Sequence, residues 1–229
     1  KYMPANATTL QTTQAIDVRA FDASEKDNHV VSNRGAYGNN NYQFSNIDQW
    51  LNKASNSGEW YQPAHQWDAP PDATSNSGET NYYSRPGFLN SFTIQERGAI
   101  LPTEILTLKP KDDTQAGNTE KIVRKVFLPS ITEVGLGAEN NVSIGNTISY
   151  FSTVSNRIKT LTEQAYSNSQ VVHTQLPSDH STGIVWWLRT PSYSLEYGTR
   201  TVIANGTKSD GQCSTGHIGI CPMINLSHS

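Results

Sequence analysis

The chain has 229 residues, enough for one large domain or two small ones, and only 16% of them are charged against 35% hydrophobic. A net charge of −3 without any basic stripe argues against a nucleic-acid surface, and no apolar run approaches the ~18 residues of a membrane helix. The balance is Asn, Ser, Thr, Gln and Gly, a neutral polar surface that favours a secreted, cell-surface or virion location. The sequence opens on Lys1 rather than Met, which predicts a fragment or a processed form with further residues upstream.

Residues 1–13 lack periodicity and are expected to form a linker or arm, leaving one globular domain over residues 14–229. From Gln14 to Phe21 the alternation of Ile16, Val18 and Ala20 with Asp17 and Arg19 predicts a strand. Asn28 to Gln43 reads as loop. Ser45 is then a good N-cap for a short helix carrying Ile47, Trp50 and Leu51 on one face. Asn52 to Tyr83 is a long loop with Trp60, Tyr61, Trp67, Tyr82 and Tyr83, whose rings are expected to pack it down.

Thr93 and Glu96 form a capping box ahead of a brief helix stopped by Pro102. Thr103–Leu108 and Val123–Leu128 read as strands, with an exposed charged excursion over Lys109–Glu120 between them. Ser130 and Glu133 repeat the capping-box pattern, and Arg157 to Tyr166 predicts a helix. The densest block comes last. Ile184–Arg189 is a buried strand, and Thr199–Ala204 a second one leading into Asn205–Gly206, a type I′ hairpin signal. His217–Leu226 is a final strand whose Pro222 implies an edge or a bulge. Short helices followed by a terminal antiparallel sheet predict an α+β domain.

Motifs for nucleotide, hydrolase or zinc-protease chemistry are missing, so no catalytic residue, cofactor or metal is assigned. His29, His65, His173, His180, His217 and His228 are scattered without ligand spacing, and the adjacent acids Asp112 and Asp113 read as solvated. Cys213 and Cys221 lack zinc spacing. A disulfide and two unpaired thiols both fit them; the even count and short loop favour the bridge. Trp186 and Trp187 must face opposite sides of their strand, one of them into a second layer, with Arg189 on the side of Trp187. Trp50, Trp186, Trp187 and Arg189 are therefore expected to be structural. Between Pro191 and Gly219, Tyr193, Tyr197, Arg200, Asn205, Gln212 and His217 make an adaptable recognition surface, and aromatic faces with amide donors suit sugars. Sequons begin at Asn6, Asn141, Asn205 and Asn225, a weak sign of glycosylation in a chain so rich in Asn and Thr.

Five ordered blocks carry a resemblance: YGNNNYQFSNIDQWLN (Tyr37 to Asn52), PGFLNSFTIQERGAILP (Pro86 to Pro102), KVFLPSITEVG (Lys125 to Gly135), WWLRTP (Trp186 to Pro191) and GICPMINL (Gly219 to Leu226). Together they resemble a bacterial and prophage family, a domain of unknown function whose members read SNIRQWLN, WWLR(S/T)P and GVRPALNL. More distantly, the C-terminus resembles the C-type-lectin-like fold of formylglycine-generating enzymes and phage adhesins. The resemblance implies a non-enzymatic domain of a phage tail, fibre or cell surface that attaches to a host glycan or surface protein beside other virion proteins. It implies neither membrane insertion nor nucleic acid, and leaves homo-oligomerisation open. Its rivals are a structural virion or surface-layer module and a formylglycine-generating-type oxidase. Where the family has Arg in GVRP this chain has Cys221, and a Cys213–Cys221 bridge could fix the same loop covalently.

Overall fold

A computed structural model of the chain describes residues 7–25, 38–72, 82–111, 115–169 and 176–227. Its centre is the strand β6 (Trp186–Pro191), every residue of which is buried. Successive side chains on a strand face opposite ways, and Trp186 and Trp187 accordingly enter two different apolar clusters. Both are 0% exposed. Trp187 packs with Phe21, Tyr42 and Trp60, and Trp186 with Val18, Phe151 and Leu188.

Around β6 runs a five-stranded sheet of order β2–β9–β6–β7–β8, built from β2 (Asp17–Val18), β9 (Gly219–Ile220), β7 (Gly198–Val202) and β8 (Lys208–Gln212). The β6–β9 contact is parallel and the others antiparallel. A three-stranded sheet has the order β1 (Ala7–Gln11), β10 (Met223–Ser227), β5 (Val126–Phe127), and β3 (Thr103–Leu108) pairs with β4 (Thr119–Arg124) as a ribbon. The helices are short: α1 (Asn46–Asn52), α2 (Ile94–Ala99) and α3 (Glu163–Ser169). The fold is thus mixed α/β, with few short helices on antiparallel and mixed sheets.

Several local expectations hold. Ser45 caps α1 by accepting from Asp48 N at 3.3 Å, and Ile47, Trp50 and Leu51 are buried. Thr93 and Glu96 bond reciprocally at the start of α2. In the described part of the aromatic loop Trp60 is fully buried and the Tyr61 and Tyr83 rings lie 5.8 Å apart.

Others are corrected. The expected arm over residues 1–13 contains β1, which pairs with β10 along its length; its Thr-rich alternation carries too little apolar signal to announce a strand. Only Asp17–Val18 of the Gln14–Phe21 segment lies in a strand, because its neighbours bond elsewhere: Ala15 N to Thr160 O and Arg19 N to Ile218 O. Asp17 and Arg19 do not face water; they are buried as an ion pair 2.7 Å apart. The helix expected over Arg157 to Tyr166 begins only at Glu163. Before it, Lys159, Thr160 and Thr162 give their backbone bonds to Ala15 and Ile184, long-range pairings that outcompete a local helix. Ser130 and Glu133 make both capping-box bonds but close a turn ending at Gly135 (φ 72), not a helix.

The charged excursion is shorter than expected, since β4 starts at Thr119, and Lys125 separates it from β5. The Asn205–Gly206 turn is not type I′: Gly206 alone has positive φ (81), Gly206 N donates to Ile203 O and Ile203 N to Thr207 O. That is a type I turn closed by a glycine bulge. Pro222 splits the last expected strand into β9 and β10, which join different sheets.

No disulfide forms. Cys213 and Cys221 are unbridged and fully buried, one in each apolar cluster. Cys213 Sγ lies 3.3 Å from Thr199 Oγ1, and burial pushes the Cys221 thiol up to about 12. Sheet and proline direct the two side chains to different layers, where the loop-length reasoning had brought them together.

Candidate functional site

Four of the five sequence blocks meet at one buried joint. Arg189 of WWLRTP is 0% exposed and forks onto Glu133 of KVFLPSITEVG, both bonds at 2.6 Å. Its remaining donors reach Leu106 O at 2.8 Å and Leu128 O at 2.7 Å. Leu128 N donates to the Tyr42 hydroxyl, Ile131 N donates to Thr190 Oγ1, and Asn225 of the closing block donates to Thr103 Oγ1. Trp50, Trp186, Trp187 and Arg189 are all buried, and Trp50 Nε1 donates to Pro86 O, Trp186 Nε1 to Arg157 O and Trp187 Nε1 to Arg19 O.

A second Arg–Glu fork is part-buried, the Arg200 side chain 17% exposed and that of Glu139 3%. Arg200 on β7 binds Glu139 through Nε at 2.6 Å and Nη2 at 2.7 Å, and Asp210 across the strand pair at 2.9 Å. Hydrogen bonding to Glu139 pushes the Arg200 pKa up. Glu139 also accepts from Tyr193 N at 2.9 Å. Its own backbone pairs with Val142 around Asn140 (φ 48) and Asn141 (φ 63), a two-residue turn of type I′ geometry that asparagine tolerates. Gly117 (φ 80) sits beside both the Asn140 amide and the Tyr193 ring. From below, buried Asn40 donates to the carbonyls of Ser192, Leu195 and Gly198 at 3.3, 2.9 and 2.9 Å. The loop that carries Tyr193 and Tyr197 is therefore clamped from two sides.

Of the six expected recognition residues, Tyr193, Tyr197, Arg200 and Gln212 share this end of the β7–β8 pair, Gln212 lying opposite Gly198. Arg200 is committed to its two carboxylates, so it positions the surface rather than reaching out from it. Asn205 lies at the opposite end, and its side-chain oxygen accepts from Thr207 N and Oγ1. His217 follows the turn after Cys213, half-buried, with its pKa pushed down by burial. Sequence reading missed Glu139, Asn140, Asn141 and Asn40. A Glu-Asn-Asn-Val hairpin signal was available for the first three.

Other polar groups are occupied structurally. Asp48 lies in a cleft of about 410 Å³, where Arg124 Nε reaches its two oxygens at 2.7 and 2.9 Å. Burial outweighs that attraction and raises the Asp48 pKa to about 7. His65 stacks on Trp67 and lies 3.4 Å from Asp68, and His180 faces Tyr166. His29, His173, His228, Asp112, Asp113 and the sequon at Asn6 lie outside the described residues. Asn225 is fully buried and bonded to Thr9 and Thr103, which removes its sequon from glycosylation. Among the described residues no group of His, Cys, Asp and Glu is placed to hold a metal, and no helix is long and apolar enough to cross a membrane.

Residues 6–228 match the family described as a domain of unknown function, DUF6273, and the chain belongs to that family. No curated protein and no solved structure matches it.

Proposed function

We propose that this domain is a non-enzymatic attachment module of a phage virion or a cell surface, holding a host glycan or surface protein on the platform around Tyr193. The observation that carries this reading is the Arg200–Glu139 fork, which ties the Glu139–Val142 turn to β7. Binding surfaces gain affinity when their loops are ordered before the ligand arrives. Here Tyr193 and Tyr197 ride on a loop fixed by Asn40, with the Asn140 amide close to the Tyr193 ring across Gly117. Aromatic rings and amides on a rigid base suit hydroxyl-rich ligands. The sparse charge and polar surface agree with an extracellular or virion setting, and a C-type-lectin-like relationship belongs to the same proposal, resting on the Trp/Arg strand and closing block.

Host-cell and glycan-array binding by the isolated domain tests it. Binding that is lost in a Tyr193→Ala, Tyr197→Ala double variant supports the platform; uniform failure of the unaltered domain to bind either sinks it. A purely structural role in a virion or surface layer is the second reading. What favours it is β1, an edge strand with Leu10 44% exposed. Tight assembly into particles without ligand binding would select that role. An oxidase using Cys213 and Cys221 together finds no support in two thiols buried in separate clusters.

A further inference from the structure

Beneath the loop Asn146–Ser149, away from the platform, lies a cleft of about 340 Å³. Its floor is apolar: Ile105 from β3, Phe127 from β5 and Met223 from β10, with Ile148 at the side. The polar groups at this depth already bond one another. Asn225 accepts from Thr9 Oγ1 at 2.5 Å and donates to Thr103 Oγ1 at 2.8 Å. The Glu133 carboxylate is compensated by the Arg189 fork. A ligand reaching the floor therefore meets no uncompensated charge.

The mouth differs from the floor. Asn146, Thr147 and Ser149 are exposed there and bring amide and hydroxyl groups to the opening. The rim is anchored: Ile148 N donates to Glu133 O at 2.9 Å, and Thr147 Oγ1 to Thr132 O at 3.2 Å. Ordered walls of this kind mark a preformed site.

The two zones select the ligand by exclusion. A charged ligand would lose hydration and find no counter-charge. A wholly apolar ligand would cover the polar mouth without bonding it, leaving those groups desolvated. A neutral ring with one C–H face and hydroxyls around its edge satisfies both zones. Small-molecule pockets run from roughly 300 to 1,000 Å³, so this one has room for a single ring. We propose that the cleft binds one neutral pyranose residue, at a site separate from the Tyr193 platform.

Saturation-transfer NMR with the full chain and the methyl glycosides of glucose, galactose, mannose and N-acetylglucosamine tests this, with glucuronate and indole as charged and apolar controls. The expected result is binding of at least one neutral glycoside and neither control. Thr147→Trp at the exposed mouth should weaken that binding by about tenfold or more. Met223→Phe, which narrows the floor, should do the same, with folding of both variants verified by near-ultraviolet circular dichroism. Tyr193→Ala should leave it unchanged. Binding of no glycoside, preference for indole, or binding indifferent to both cleft variants overturns the proposal. Loss in Tyr193→Ala alone also overturns it, moving the sugar to the platform. Cleft binding that persists when host attachment fails removes only the attachment reading.

Discussion

Two arginines in this domain make the same forked bond to a glutamate and do different work. Arg189–Glu133 is sealed inside, with the guanidinium 0% exposed, and its other donors hold carbonyls of β3 and the strand-end segment after β5. Arg200–Glu139 has the more open arginine, its side chain 17% exposed and shared with Asp210, over a glutamate that is itself buried. The first joins elements distant in sequence into one interior; the second holds a surface turn in place beside two tyrosines. Environment, not bond geometry, separates a scaffold from a platform.

The contrast is tested most severely by removing one glutamate at a time. Glu133→Leu leaves the Arg189 charge buried and unpaired, a change that costs about 3–5 kcal/mol, enough to unfold a marginal domain. Glu139→Leu leaves a part-buried Arg200 with Asp210 as its partner and the Tyr193 N–H without its acceptor, so the loss should be smaller, about 1–3 kcal/mol. Urea denaturation of both variants checks the ordering. Equal losses would erase the distinction between the two forks.

Asn40 is where the platform depends on the interior. Its amide is buried and serves three carbonyls of the Tyr193 loop. Asn40→Ala should cost about 1–3 kcal/mol, the penalty for leaving buried polar groups unmade. Hydrogen exchange should rise in residues 192–198 before it rises in β6. Uniform exchange across both would mean the loop is not held separately.

The interior was readable from the sequence where its signals are local. The Ser45 cap, the Thr93–Glu96 box, the bounds of β3 and the opposed Trp186 and Trp187 all follow from spacing alone. The platform was readable only in part. Tyr193 and Tyr197 stand out by type, but Glu139 meets Arg200 across 61 positions, and no periodicity records such a pairing. β1 escaped for the same reason, its partner lying at the far end of the chain. The two cysteines misled because a short loop between them suggested proximity, whereas the alternation of β9 and the break at Pro222 send them to different layers.

Acid strength gives a third probe. Asp48 has a folded pKa raised to about 7 by burial, and Asp22 is shifted the same way, also by burial. The folded state therefore holds protons that the unfolded chain has released. That contribution is fully present below the unfolded value near 3.8 and is lost as pH rises through the folded value. Stability should fall between about pH 4 and 7, by at most about 1.4 kcal/mol per pH unit for each proton. Asp48→Asn removes one such proton and should flatten the fall seen in thermal melts; an unchanged slope assigns it to other groups.

The smallest expected stability effect gives the most direct test of the proposed platform. Tyr193 is part-exposed and its ring edge lies beside Gly117, which has no side chain to pack on it, so Tyr193→Ala should shift stability by no more than about 0.5 kcal/mol, as surface changes do. The Arg200–Glu139 fork does not use the tyrosine side chain; only its backbone N–H reaches Glu139, and alanine keeps that bond. The loop should stay in place and the contact surface alone should be lost. A variant that melts with the parent yet no longer binds host cells isolates recognition from folding. A variant that melts several degrees lower would instead place Tyr193 with the scaffold and shrink the platform to its neighbours.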